Sequence, residues 1–131
     1  MQEKPKIQEI PVKMYRTSDR LMVAAPMPGM EPGDILVEVR EDGQMILQGQ
    51  MRGMLKDIKE LLIDEWSVGS YYRELALPDT VDAGKANVTY RNGVVVVALP
   101  MSARMGAATL TLDTVGPAHG ERVGNIGHGQ G

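Results

Sequence analysis

The sequence predicts an all-β sandwich of about seven to eight strands with disordered tails, from the pattern of short elements alone. Across the 131 residues, short runs in which apolar and polar side chains alternate are separated by turn residues. Two of those turns, Glu41-Asp42-Gly43 and Asn92-Gly93, are hairpin signals, because such sequences accept a positive φ angle. No convincing long helix interrupts the series, which favours two packed sheets.

The composition fits one domain that is neither fully disordered nor membrane-spanning. Hydrophobic residues make up 43% and charged residues 24% of the chain. No window reaches the roughly 18 consecutive apolar residues of a membrane span, and no apolar signal-peptide core follows the first residues, so we expect a cytoplasmic protein. The net charge of -3 lacks the basic surplus that binding to nucleic acid requires.

The first part of the chain predicts two strands after a short arm. Residues 1–10 are polar without a period, which indicates a flexible arm. Val12 and Met14 alternate with polar neighbours, and residues 21–25 form an apolar run that is typical of a buried strand. Pro and Gly crowd residues 26–33, which predicts a loop between strands.

The next two strands form a hairpin. Ile35, Val37 and Val39 share one face of an extended segment, because side chains alternate along a strand. Residues 44–48 follow the Glu41-Asp42-Gly43 turn and form the predicted return strand.

The stretch between residues 51 and 66 supports two interpretations. Its apolar residues fall at helical spacings, although Gly53 weakens a helix. The alternative is a mobile loop over residues 51–59, followed by a short strand from Leu61 to Glu65. We favour the strand and leave open one or two helical turns before it.

The second half predicts three more strands and a tail. Tyr71, Arg73, Leu75 and Leu77 alternate with polar or small residues before Pro78 ends the strand. Two further strands, residues 86–90 and 94–99, flank the Asn92-Gly93 turn. Past Pro100 the chain becomes rich in Gly, which predicts a disordered extension.

The residues needed for an enzyme are missing. The only two imidazoles, His119 and His128, lie in the predicted flexible tail, where no scaffold holds them against a nucleophile. The chain has no Cys. We therefore predict no catalytic residue, no metal site and no cofactor.

Three segments carry a family resemblance. They are Gly-Ser-Tyr-Tyr-Arg-Glu-Leu-Ala-Leu-Pro ending at Pro78, Val-Thr-Tyr-Arg-Asn-Gly-Val-Val-Val-Val-Ala-Leu-Pro ending at Pro100, and the isolated triplet Leu110-Thr111-Leu112. Together they resemble the α-crystallin domain of small heat-shock proteins of the bacterial type. The resemblance implies an immunoglobulin-like β-sandwich and an ATP-independent holdase chaperone that binds partially unfolded client proteins through apolar sheet-edge surfaces.

The resemblance gives the tail triplet a role. Leu110 and Leu112 lie on one face of an extended segment, with Thr111 pointing away, where the family carries its I-x-I motif. Such a segment can lie along a sheet edge and place alternate side chains in an apolar groove. The groove would lie between two strands and be lined by Ile35, Val37, Val39, Ala86 and Val88. The alternative is that these aliphatic residues are ordinary sandwich core.

The same resemblance implies a homodimer through an exchanged strand. Arg73 occupies the family's strand-arginine position, and Asp64 and Glu65 on the exchanged strand are its expected partners across the interface. Leu61 and Ile63 are the apolar residues of that strand.

The predicted organisation is an arm at 1–10, a sandwich domain at 11–100 and an extension at 101–131. Because the arm is short and lacks Phe, we expect dimers or small oligomers. The main alternative is a p23-like co-chaperone or scaffold that binds folded partners through a sheet face and needs neither the Leu-Thr-Leu triplet nor an exchanged strand.

Overall fold

The structure is a computed structural model that describes residues 6–50, 59–63, 69–114 and 119–124. Eleven strands lie within these ranges. They are β1 (Lys6–Glu9), β2 (Lys13–Arg16), β3 (Arg20–Pro26), β4 (Ile35–Val39), β5 (Gln44–Gln50), β6 (Gly69–Ala76), β7 (Asn87–Arg91), β8 (Val94–Pro100), β9 (Ala108–Leu110), β10 (Asp113–Thr114) and β11 (Gly120–Arg122).

The strands form two sheets, which confirms the predicted β-sandwich. One sheet has five strands in the order β1-β6-β5-β4-β9, and the other has six in the order β10-β11-β7-β8-β3-β2. Seven strands, β2 to β8, come from residues 11–100. Two short 3-10 turns, Pro32–Asp34 and Ala83–Lys85, are the only helical pieces in the described ranges, where no helix is long and apolar enough to cross a membrane.

The two sheets bury alternate residues of their strands against each other. In β3, Leu21, Val23 and Ala25 are buried while Met22 and Ala24 are half-buried on the outer face. This alternation follows from the two-residue period of a strand. The core is continuous between the sheets, since inward residues of both belong to one apolar cluster.

The predicted hairpin turns have the expected backbone. Gly43 has a φ of 87° at the turn between β4 and β5. Asn92 and Gly93 have φ angles of 52° and 80° between β7 and β8, and Asn92 is the only non-Gly residue with positive φ in the described residues. A pair of positive φ angles matches the twist of the two flanking strands. Turn chemistry therefore fixes the register of both hairpins.

The loop after β3 is fastened to the core by two tyrosines. The Tyr90 hydroxyl donates a hydrogen bond to the Met27 carbonyl oxygen at 2.8 Å and accepts one from the Met30 amide at 3.2 Å. The Tyr71 hydroxyl donates to the Pro28 carbonyl oxygen at 2.9 Å. The Pro- and Gly-rich loop is irregular, as predicted, but it is not loosely held.

The arm and the extension differ from the prediction of flexible tails. Residues 6–9 form β1, which runs parallel to β6, and Ile10 beside it is 1% exposed. In the extension, β9, β10 and β11 pair with strands of the domain or with each other. These segments are too short to show a strand period, and they gain order by pairing with open sheet edges.

The predicted strand from Leu61 to Glu65 is not formed over its described part. Residues 61–63 pair with none of the strands that the structure describes, and Leu62 and Ile63 are 82% and 77% exposed. Asp64 and Glu65 lie outside the described residues, as do residues 51–58, for which a helix was the other interpretation. Within one chain, residues 61–63 lack the neighbouring edge that a strand requires.

Candidate functional site

The candidate site is the side of the sandwich between the β4 edge and the β7 edge, where the tail triplet passes from one sheet to the other. The strand β9 lies antiparallel to β4, with Leu110 opposite Val37 and Ala108 opposite Val39. The Leu110 side chain is fully buried. This is β-strand augmentation of the β4 edge within a single chain.

Leu112 marks the crossing between the sheets. It is 6% exposed, whereas Thr111 before it is exposed, so the predicted alternation along the triplet is present. The next two residues form β10, which pairs with β11 on the six-stranded sheet. The triplet therefore closes the sandwich between the β4 edge and the β7 edge.

The structure brings together all seven residues predicted for the groove and for the tail motif that fills it. Leu110 and Leu112 belong to the same buried cluster as the five groove residues, Ile35, Val37, Val39, Ala86 and Val88. The groove and core interpretations of those five residues are therefore compatible. The five residues belong to the core, and the docked tail covers this part of the core.

The linker before β9 is positioned by backbone hydrogen bonds. The Gly106 amide donates to the Val81 carbonyl oxygen at 2.8 Å, and the Gly106 carbonyl oxygen accepts from the Ala83 amide at 2.8 Å. Asp82 accepts from the Gly84 amide at 3.1 Å and so caps the 3-10 turn beside them. This turn sets the path by which the chain reaches the β4 edge.

Sequence reasoning missed a second contact of the tail. The Arg122 guanidinium donates to the carbonyl oxygens of Ala86 at 2.7 Å and Gly84 at 3.2 Å. The Gly124 amide donates to Asn87 Oδ1 at 2.6 Å. A signal for this contact is present in the sequence, because residues 115–131 contain only two charged side chains, and they are adjacent at 121 and 122.

Of the predicted dimer residues, the structure describes Arg73, Leu61 and Ile63. Arg73 donates to the Ile10 carbonyl oxygen at 2.9 Å in the same chain, and its expected partners Asp64 and Glu65 are outside the described residues. Leu61 is half-buried and Ile63 is exposed. The carboxylate pairing of Arg73 across a dimer stays a prediction.

The outer edge of β2 ends the six-stranded sheet on the side away from the tail. Arg16 at the end of β2 holds Asp79 through two hydrogen bonds of 2.8 and 3.1 Å. The hydrogen bond from Arg16 holds the pKa of Asp79 below the ordinary carboxyl range. The pair fastens this edge strand to the turn that follows β6.

In the described part of the chain, no three His, Cys, Asp or Glu side chains are placed to hold a metal ion. His119 is exposed on the tail, and His128 lies outside the described ranges. Burial raises the pKa of the Tyr90 hydroxyl, which already uses its proton to hold the Met27 carbonyl.

Comparisons with known proteins identify the family. Residues 13–108 match the sequence profile of the Hsp20/alpha crystallin family. The chain is 32% identical over 90 residues to the "Probable 15 kDa heat shock protein" of Leptospira interrogans serogroup Icterohaemorrhagiae serovar Lai (strain 56601), covering 68% of this chain and 67% of that relative.

The plant relatives are longer, and a solved structure shares the fold. The chain is 30% identical to the "19.0 kDa class II heat shock protein" of Oryza sativa subsp. japonica, covering 66% of this chain and 53% of that protein. It superimposes on heat shock protein 16.0 from Schizosaccharomyces pombe with a TM-score of 0.65 and 21% identity, over 77% of this chain and 72% of that one. The chain belongs to the Hsp20/alpha crystallin family.

Proposed function

We propose that this protein is an ATP-independent holdase that binds partially unfolded proteins at the β4 and β7 edges and limits their aggregation. Membership of a family of non-enzymatic chaperones gives the chaperone role. The finer mechanism is inferred from the docked tail, and the cytoplasm stays its predicted location.

The observation that carries the proposal is the occupancy of the β4 edge by β9. The edge accepts three residues in extended conformation, with Leu110 fully buried and Thr109 exposed. Backbone pairing of this kind does not depend on the sequence of the docked segment, and the apolar groove requires only an aliphatic side chain at alternate positions. An unfolding protein exposes many segments that meet these two conditions.

The tail can leave the groove without unfolding the domain. Burial of each Leu contributes about 1.5–3 kcal/mol, and the ordering of the linking residues opposes that gain. The balance favours reversible docking. When the tail detaches, the groove residues become available to a client segment, which competes with Leu110 and Leu112 for the same surface.

We also propose a homodimer in which residues 61–65 of each chain pair with the β2 edge of the other. Two observations support it, namely the exposure of Leu62 and Ile63 and the position of β2 at the end of its sheet. An apolar segment and an open edge are complementary, because the segment supplies the missing strand. The family forms oligomers.

Light scattering from a heat-labile client, warmed without ATP, tests the proposed function. Suppression of scattering at a near-equimolar subunit ratio is the expected result. If scattering is unchanged while circular dichroism shows that the protein itself is still folded, the holdase proposal is wrong. A p23-like role in binding folded partners would then account better for the same sandwich.

A further inference from the structure

The β7 edge of the sandwich is covered by a second segment of the tail. The strand β11 lies antiparallel to β7, with Gly120 opposite Tyr90, Glu121 opposite Thr89 and Arg122 opposite Val88. Without this segment, the edge strand would present unpaired backbone groups to solvent. The contact lies beyond the Leu-Thr-Leu triplet and uses different residues.

Arg122 binds backbone carbonyl groups of residues that directly precede β7. Its two terminal nitrogens donate to the carbonyl oxygens of Ala86 and Gly84, which flank the end of the 3-10 turn. A guanidinium presents several donors in one plane, whereas an ammonium is a point charge. This arrangement therefore requires Arg and not merely a positive charge.

Two glycines allow the segment to approach closely. A Cβ at Gly124 would overlap the Lys85 carbonyl group and lie 2.6 Å from the Ala86 carbonyl oxygen. A Cβ at Gly120 would overlap the Pro32 ring. The fit also places the Gly124 amide on Asn87 Oδ1. The β7 edge thus accepts an extended strand with Gly, Arg and Gly at its first, third and fifth positions.

We propose that residues 120–124 are a second docking element of the tail, which occupies the β7 edge of its own chain and holds the Leu-Thr-Leu triplet in the groove. The triplet begins at Leu110, the last residue of β9, which is paired with β4, and it is followed directly by β10, which is paired with β11. A segment held at both ends rebinds as an intramolecular ligand and is displaced less readily than one held at one end. Access of clients to the groove is therefore controlled by release of residues 120–124, an effect that rests on the proposed function, whereas the docking itself does not.

Residue-resolved amide hydrogen exchange on the full-length protein tests the docking. The variant Gly124→Val places a side chain against the Lys85 carbonyl, and Arg122→Ala removes the two donors. In both, the β7 amides of residues 88–90 that face β11 are expected to exchange about tenfold faster or more, because their pairing opens locally. The β7 amides that face β8 are expected to stay protected.

Two controls sharpen the result. Val123→Ala changes a side chain that is 69% exposed between the two contact residues, and it should leave exchange as in the wild type. Arg122→Lys keeps the charge but loses the planar donors, and it should behave like Arg122→Ala. Equal β7 exchange in wild type, Gly124→Val and Arg122→Ala would overturn the proposal.

Two further outcomes are decisive. If Gly124→Val also exposes the amides facing β8, that variant has disturbed the domain, and Arg122→Ala gives the answer alone. If the exchange of the β7 amides does not change on dilution, residues 120–124 dock on their own chain. If their protection is lost on dilution, the segment docks on a second copy, and the proposal is overturned. Light scattering from a client tests the proposed function separately. If this protein does not suppress that scattering, the holdase role is contradicted even where hydrogen exchange confirms the docking.

Discussion

At the scale of single residues, Tyr90 shows how one side chain joins the two halves of the sandwich. It is 2% exposed on β7, and its hydroxyl holds both ends of the 27–30 loop that leads toward β4. The sequence predicted Tyr90 only as the last residue of the strand at 86–90. Its hydrogen bonds depend on the tertiary approach of a loop 60 residues away in the chain, which no local pattern reveals.

We predict that Tyr90→Phe lowers the free energy of unfolding by about 1–3 kcal/mol, because the Met27 carbonyl and the Met30 amide lose a buried partner. Urea unfolding followed by circular dichroism measures the change. Tyr15→Phe is the matched control, since Tyr15 is 46% exposed and its hydroxyl should contribute little. Equal midpoints for wild type and Tyr90→Phe would contradict the assigned role of the hydroxyl.

The Arg16 and Asp79 pair predicts a dependence of stability on pH. Because the folded-state pKa of Asp79 is lowered, chiefly by the hydrogen bond from Arg16, its stabilising contribution is present above the ordinary carboxyl pKa. That contribution is lost as the pH falls through the folded-state value. Asp79→Asn should therefore be less stable than wild type at neutral pH, and the difference should vanish in acid.

Denaturant unfolding of wild type and Asp79→Asn at a series of pH values measures this difference. Both groups are solvent-accessible, so we expect a small effect that salt reduces. Glu41→Gln, in an exposed turn, is the control and should show no such trend. A difference between Asp79→Asn and wild type that persists unchanged into acid would exclude the ion pair as its source.

At the scale of elements, the strands with an internal signal were predicted and those without one were not. The hairpins around Gly43 and Asn92-Gly93 were predicted, because their turn residues specify the backbone locally. Leu110 and Leu112 were predicted from the resemblance of their triplet to the family's I-x-I motif. The strands β1, β10 and β11 have two to four residues each and depend on the edges they meet, so sequence alone indicated flexible tails.

Within one chain, residues 61–63 lack the neighbouring edge that a strand requires. This gives a prediction about how two chains assemble. Ile63→Asp should weaken the homodimer without destabilising the domain, because Ile63 is 77% exposed in the single chain. Light scattering coupled to size exclusion should give the wild type a mass of at least twice 14.3 kDa. The variant should approach the mass of one chain on dilution.

The control for this change is Lys59→Gln, which shifts the net charge by the same amount at an exposed residue of the same segment. It should assemble like the wild type. If Ile63→Asp and the control have the same mass as the wild type at every concentration, residues 61–65 do not form the dimer contact.

At the scale of the whole molecule, the chain covers most of its own sheet edges. The arm lies on β6, and the tail lies on β4 and then on β7. Among the strands of the domain that the structure describes, β2 keeps an outer edge with no strand of the same chain beside it. Self-covered edges protect an all-β chain from aggregation, and edges that open reversibly give it a way to bind other chains.

The last prediction follows from that arrangement. Replacing Leu110 and Leu112 together with Ala removes the apolar side chains that hold the triplet, each with a contribution of about 1.5–3 kcal/mol from burial. The groove should then be vacant at temperatures where the wild-type tail is still docked. We expect the double variant to suppress client light scattering more strongly than the wild type at moderate temperature, and trypsin to cleave it faster after Arg122.

Thr111→Ala is the matched control, because Thr111 is exposed between the two leucines and its side chain takes no part in the buried cluster. It should match the wild type in both assays. Faster cleavage without a gain in suppression would show that the tail docks but that its groove is not where clients bind. Unchanged cleavage would show that the docking of residues 120–124 does not depend on the two leucines, and unchanged cleavage together with unchanged suppression would contradict the proposed covering of the groove by the triplet.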